Sequence, residues 1–385
     1  MPVGALARFY AWGLLSEFSL TGGIWILYLQ SRGLSLAEIG LAESVFHLAP
    51  LSLELLTGSL ADLFGRKWSL AMSSLCLTLS ALVMLQATTL WLVLPAMYLN
   101  GAFYAFRSGA QEALLFDTLA ERGAAARFTG LLGKLYSATY LVIAITTWLG
   151  GFLADRGFTL PYLLTAGFGL AGVALAATLR EPERARSRHR NPARIVADAI
   201  GIVRAHPDLP LLLMYAAALW TLAALIGLYA QAVLSEMGLP PSGVGLVIGL
   251  TFLFTAAGAW FAGRLATRAA FPRWTLFVTL GWVAAALGLG SQILPLAVAT
   301  YFLGEWLFGA YEPMLSGRIN AGIGSTERAT VLSVQGFLFS ATMIWAFPLF
   351  GAAAARFGWL PAYAAASAVV LVLLAALAGR ERRRA

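Results

Sequence analysis

Apolar runs long enough to cross a bilayer recur twelve times in this chain of 385 residues. A helical crossing takes about 20 mostly apolar residues. The runs fall near 8–30, 36–57, 68–87, 91–114, 127–151, 160–179, 210–233, 242–263, 273–291, 294–317, 328–351 and 361–379. They predict an all-α membrane protein, a chain whose partner is the lipid bilayer. Composition agrees: 60% of residues are hydrophobic and 11% charged, against about a quarter charged in soluble domains. Formal charge is +8, yet the basic residues sit between apolar runs and form no patch, so no nucleic-acid partner is expected. The single cysteine, Cys76, excludes an intrachain disulfide. The first run is too long for the apolar core of a signal peptide, and no small-residue cleavage site follows it. It reads as a retained span.

Most connections are short. The longest, from Arg180 to Leu209, is rich in arginine and divides the runs six plus six. This predicts an N-terminal six-helix bundle over 1–179, a basic linker over 180–209 and a C-terminal six-helix bundle over 210–385. Within the linker, Ile195, Val196, Ala199, Ile202 and Val203 recur at helical spacing, as in a short amphipathic helix lying on a membrane surface. Arg and Lys total 26. With the N-terminus inside, 21 of them fall on that side, three (Arg32, Arg156, Arg356) on the other, and two (Arg107, Lys134) within runs. The positive-inside bias then puts both termini and the linker in the cytoplasm. The expected location is the cytoplasmic (inner) membrane of a bacterium.

The second run ends in "TGSLADLFGRKWSL", residues 57–70, and the eighth in "AGRLATRAAFPRWTL", residues 262–276. Each carries a glycine, a Leu-Ala pair and basic residues, an internal repeat of the kind secondary transporters show. The first stretch resembles the loop signature between the second and third helices of the major facilitator superfamily. "SGAQEALLFDTL", residues 108–119, and "INAGIGSTERATVLSV", residues 319–334, resemble the end of the fourth helix and the entry to the eleventh. The resemblance covers essentially the whole chain and is to members of the bacterial drug/proton antiporter type. It implies twelve transmembrane helices in two pseudo-symmetric six-helix bundles. It also implies that the loop locks the outward-open state, a role falling on Gly58, Asp62, Gly65, Arg66, Lys67 and, at the end of the fourth run, Asp117. Read from the residues alone, the glycines permit a tight turn; Asp62, Arg66 and Asp117 could cluster, or Arg66 and Lys67 could do no more than fix topology. Two other signatures of the superfamily are incomplete. Met97 stands where an arginine precedes Asn100-Gly101, and Thr146-Thr147 rather than Gly-Pro precede Gly150-Gly151. The missing arginine weakens a proton-transfer role copied from drug exporters, and the missing Gly-Pro weakens the inference of antiport, and so of export.

A charge within a span costs about 2.5–3.5 kcal/mol on insertion scales, so those retained are candidates for function. Glu17 and Glu305 lie about midway along the first and tenth runs, with no fixed cation at their depth in the sequence. Arg107 and Glu312 lie at matching depths in the fourth and tenth. Glu43 and His47 are one turn apart on one face of the second. Glu54 and Glu112, nearer a surface, read as partners for Arg107 or Lys134. Between their ends, runs three, six, nine and twelve hold no Asp, Glu, Lys, Arg or His, and Cys76 lies in the third. In the superfamily those helices are peripheral, while the first, fourth, seventh and tenth line the cavity. A carboxylate in a low-dielectric cavity can take up and release a proton in the physiological range. Glu17, Glu305, Glu312, Glu43 and Arg107 are therefore the expected proton-coupling and cavity groups, with protons as the coupling ion and no other cofactor. Trp220, Trp306 and Tyr136 are the aromatics expected to stack on a substrate or hold a cation.

No Gly-rich loop with a following Lys-Ser/Thr occurs, which argues against ATP-driven pumping, and neither an enzyme site nor metal-ligand spacing is found. The reading is a monomeric, proton-coupled secondary transporter that moves small hydrophobic or cationic molecules by alternating access, as an exporter. The alternative is a proton-coupled uptake symporter for a sugar, amino acid or organic acid.

Overall fold

In an apolar solvent every backbone amide must find a partner within its own segment, and helices do this without neighbours. The computed structural model describes residues 3–182, 201, 209–266, 271–321 and 328–382, and its regular elements are all helical. Residues 183–200 and 202–208, with most of the expected surface helix of the linker, lie outside the described residues. The α-helices are α1 (Val3–Leu15), α2 (Trp25–Ser31), α3 (Leu36–Phe64), α4 (Arg66–Gln86), α5 (Leu90–Arg107), α6 (Ala110–Ala120), α7 (Phe128–Ala154) and α8 (Thr159–Ala177). They continue with α9 (Leu209–Glu236), α10 (Pro241–Ala266), α11 (Phe271–Gly290), α12 (Leu294–Ala321), α13 (Arg328–Phe357) and α14 (Trp359–Arg382).

Among the described residues, 9 helices are long and apolar enough to cross a membrane. The expected runs that fall short are the first, fourth and tenth, and each does so because of polar content or a break. The first run is divided between α1 and α2, the fourth between α5 and α6. The tenth, α12, is continuous but carries Glu305 and Glu312. The three runs that fail the apolar test are thus the ones holding Glu17, Arg107, Glu305 and Glu312.

The chain forms two compact units. One comprises Met1–Leu34, Ala42–His189 and Pro240–Gly249. Its core gathers Phe9 and Trp12 of α1, Leu70 of α4, Leu114 and Leu115 of α6, and Leu135 of α7. The indole Nε1 of Trp12 donates to Ser74 Oγ at 3.2 Å, so a wholly buried tryptophan keeps its polar atom paired. α4 and α8 approach through small residues, as helices do where lipid is no less apolar than leucine. A Cβ on Gly169 would stand 2.4 Å from Thr78 Oγ1.

The other unit comprises Ser35–Leu41, Arg190–Leu239 and Leu250–Ala385. Here α10 and α12 press glycine on backbone in both directions. A Cβ on Gly258 would lie 2.0 Å from the Trp306 carbonyl oxygen, and one on Gly309 would lie 2.0 Å from that of Thr255. Buried hydroxyls pair across helices: Tyr215 Oη with Thr279 Oγ1 at 2.7 Å, and Thr275 Oγ1 with Tyr311 Oη at 3.0 Å. Trp91 and Trp260, 80% and 78% exposed, stand on the outside of their units, as lipid-facing side chains do.

Candidate functional site

The break in the first run is built, not frayed. α1 ends at Leu15, and residues 16–24 pass through turns before α2 begins at Trp25. The amides of Glu17 and Phe18 still reach Leu14 and Leu15 carbonyls, at 3.1 and 3.0 Å. The amide of Leu20, beyond the helix, is taken by Thr165 Oγ1 of α8 at 3.0 Å. Its carbonyl lies against Gly150 of α7, where a Cβ would come within 1.9 Å of the oxygen. The Gly150 half of the double glycine thus makes room for the irregular backbone of the first run. Thr146 Oγ1 also reaches the Glu17 carbonyl, at 3.4 Å. Irregular backbone at membrane depth persists only where protein groups take its amides and carbonyls.

The fourth run breaks more sharply. α5 ends at Arg107, Gly109 adopts φ +71° and ψ −40°, and the Ala110 amide bonds the Ser108 carbonyl at 2.8 Å. This three-residue turn is rare because its positive φ suits glycine alone. α6 then starts with no side-chain cap.

An ion pair ties the two breaks together. Arg107 Nη2 pairs with Glu17 Oε1, and both side chains are largely buried. Arg107 Nε donates to Gln111 Oε1 at 2.6 Å, and the guanidinium lies 5.8 Å from the Phe103 ring centroid. The expectation that Glu17 has no fixed cation at its depth is therefore corrected. Arg107 is the last residue of α5 and Glu17 lies in the turns just past α1, so the two meet where each run leaves its helix. Beside this pair is a cavity of about 400 Å³, lined by Pro50, Tyr104, Arg107, Gln111, Glu112 and Tyr136 among others. Tyr136 Oη donates to Glu112, so Glu112 pairs with a phenol rather than with Arg107 or Lys134. Glu43 and His47, both buried, meet at 3.4 Å along α3.

The loop cluster is found in part. Arg66 Nη1 pairs with Asp117 and also donates to the Ala113 carbonyl at 2.6 Å. Gly65, at φ +115°, makes the turn that lets α4 begin there. The side chains from Gly58 to Phe64, Asp62 among them, lie outside the described residues. The structure adds Glu181, which sequence reasoning passed over. Its two carboxylate oxygens accept the backbone amides of Arg66 and Lys67, each at 2.9 Å. A carboxylate on the first amides of a helix satisfies unpaired donors and opposes the positive end of the helix dipole. Its one signal in the sequence is its place beside Arg180 at the mouth of the linker.

In the other unit, Glu305 Oε2 accepts from Thr255 Oγ1 at 2.6 Å, and among the described residues it makes no ion pair. Glu312 Oε2 accepts from Trp220 Nε1 at 3.1 Å, and the Trp220 ring meets Phe339 edge-on. Trp220 is thus tied to a carboxylate, while Trp306 contributes its backbone to the contact with Gly258.

Spans interrupted at charged residues, with a polar cavity at the break, are the construction of a membrane transporter. A family model described as the Major Facilitator Superfamily matches residues 9–235, more than half of the chain. The chain belongs to that superfamily. No curated protein sequence matches it. Among solved structures it is similar to a point variant of the nucleoside transporter NupG, with TM-score 0.83 and 12% identity over 97% of this chain and 99% of that one. It is also similar to a bacterial homolog of the human lysosomal transporter Spinster (TM-score 0.72, 15% identity, 98% and 95% covered). A D-xylose–proton symporter gives TM-score 0.70 at 14% identity, with 97% and 95% covered. At these identities the likeness is one of fold. The chain is a multi-pass membrane transporter.

Proposed function

We propose that this transporter is proton-coupled and works by alternating access, carrying a small polar molecule inward with a proton. The observation that carries the reading is the buried Glu17–Arg107 pair across two helix breaks. While Glu17 is ionised, it compensates the guanidinium, and a cationic substrate finds no open carboxylate there. When Glu17 takes a proton, Arg107 loses its counter-charge and its donors turn to a substrate oxygen. Proton and substrate then favour each other's binding by the same factor, which is symport by linkage. The D-xylose–proton symporter among the similar structures supports this direction. The twelve-span, two-bundle arrangement, with termini and linker in the cytoplasm of a bacterial inner membrane, completes the proposal. In it, Arg66, Asp117 and Glu181 hold the inner ends of α4, α6 and the linker mouth together in one state and part in another.

Export of cationic compounds is the second reading, and Glu305 favours it. That carboxylate has a hydroxyl donor but no cation among the described residues, so a cationic substrate and a proton could compete for it. Purified protein in liposomes separates the two. A panel of nucleosides, pentoses, dipeptides, organic acids and lipophilic cations is offered under pH gradients of both polarities. Symport accumulates its substrate when the lumen is alkaline, and antiport when the lumen is acidic. Accumulation of a lipophilic cation in acidic vesicles alone would overturn the uptake reading.

A further inference from the structure

Just past the break at Ser108–Gly109, one side-chain donor is unpaired among the described residues. Gln111 is 4% exposed and lines the cavity, and its Nε2 has no hydrogen-bond partner among the described residues. The orientation of that amide is fixed. Arg107 Nε is a donor only, so the Gln111 atom it meets at 2.6 Å is Oε1, and the other is the amino group with two hydrogens. At the head of α6 the first internal bond runs from the Ala113 amide to the Gly109 carbonyl. No side chain caps the head of α6. A buried unpaired donor is costly, and one beside a cavity is a place for a ligand's acceptor.

The same wall carries the complementary group. Glu112, next in sequence, is an acceptor held by the Tyr136 hydroxyl, and Tyr104 and Tyr136 supply aromatic faces to the cavity. Charge decides which ligand fits. Arg107 is compensated by Glu17, while Glu112 has only a neutral partner. The cavity wall therefore disfavours an added carboxylate. The Gln111 amino group calls for an acceptor, which a simple cation does not bring.

The geometry points to a recognition subsite at this break for a neutral, planar ligand in which a carbonyl oxygen neighbours an N–H, as in a lactam or cyclic imide. The carbonyl accepts from Gln111 Nε2, the N–H donates to Glu112, and the ring lies against Tyr104 or Tyr136. This names the substrate class within the cavity of the proposed transporter and rests on that reading only for the statement that the ligand is carried.

The test is equilibrium binding by calorimetry to the purified full-length protein, without any pH gradient, so a failure of proton coupling leaves the result intact. The probes are uracil, hydantoin and hypoxanthine, their N-methylated forms, benzoate and tetraphenylphosphonium. At least one of the three neutral probes is expected to bind, and N-methylation to weaken it by about tenfold, the loss of one hydrogen bond. Gln111→Glu keeps the acceptor that Arg107 uses and removes the amino donors; it is expected to weaken the same probe at least as much, with the melting temperature retained. Gln111→Glu binding as the wild type does would reduce Gln111 to a positioning residue for Arg107 and overturn the proposal. So would binding by none of the neutral probes, indifference to N-methylation in the wild type, or tighter binding of benzoate.

Discussion

Arg107 of the interrupted fourth run and Glu17 of the interrupted first run form a largely buried ion pair, so the two irregular stretches of backbone meet at one pair of charges. Glu17 lies in the turns just past α1 and Arg107 ends α5, so each charge is compensated at the edge of a break. Removing one partner leaves a buried charge unpaired, at a cost of about 3–5 kcal/mol, whereas replacing both is often close to neutral. Arg107→Met is therefore expected to lower the melting temperature in detergent markedly. Glu17→Gln combined with Arg107→Met is expected to recover much of that loss. Equal destabilisation by the single and double variants would show that the two side chains do not depend on each other.

Gly150 tests whether the first break needs its glycine. A Cβ there would fall 1.9 Å from the Leu20 carbonyl oxygen, a backbone atom that cannot step aside alone. Gly150→Ala is expected to destabilise by about 1–3 kcal/mol, as overpacking does. A Cβ on Gly130, in the same helix, would meet nothing within 4 Å, and Gly130→Ala is expected to be neutral or slightly stabilising. Thermal melting of the two variants side by side makes the comparison; a tolerant Gly150 would mean that α7 and the break do not pack this closely.

Glu181 supplies the third test. Its carboxylate takes the amides of Arg66 and Lys67, and loss of a helix cap costs about 1 kcal/mol. Glu181→Ala is expected to raise hydrogen exchange at the first amides of α4 several-fold while exchange in the middle of α4 stays unchanged. Asp117→Asn, which weakens the pair with Arg66, is expected to slow transport while substrate binding is largely retained. Unchanged exchange and turnover would leave these residues as topological markers.

Topology is tested by labelling. Cys76 is buried in α4 and is the single cysteine, so a background lacking it accepts new probes cleanly. A cysteine at Arg356 is expected to react with an impermeant reagent from outside intact cells, and one at Arg188 is expected to react only after lysis. The reverse pattern would invert the orientation.

What the sequence revealed, and what it hid, divides along one physical line. Hydrophobic run length located helices such as α9 and α11, because apolar content and span length are linear properties of the chain. Arg66, Asp117 and Gly65 were legible from a local signature. The partnership of Glu17 with Arg107 was not, because Glu17 lies in the turns after α1, where helical register no longer gives its depth. Nothing near Gly109 announces a turn at positive φ in place of an ordinary helical glycine. Gln111 was visible as one of few amides within a run, but its unused amino group is legible only once Arg107 is seen to hold the other end. The role of Gly150 likewise depends on Leu20, far from it in sequence.

The central claim is that Glu17 carries the coupling proton and releases Arg107 when it binds one. Glu17→Gln imitates the protonated carboxyl at nearly constant size. The measurement is flux, in liposomes with and without an inside-alkaline pH gradient, of the substrate that the panel identifies. The account predicts that Glu17→Gln still exchanges labelled for unlabelled substrate across the membrane but no longer accumulates it when the pH gradient is the only driving force. Accumulation by Glu17→Gln equal to that of the wild type would contradict it and move the coupling proton to another carboxylate, with Glu305 and Glu312 next in line.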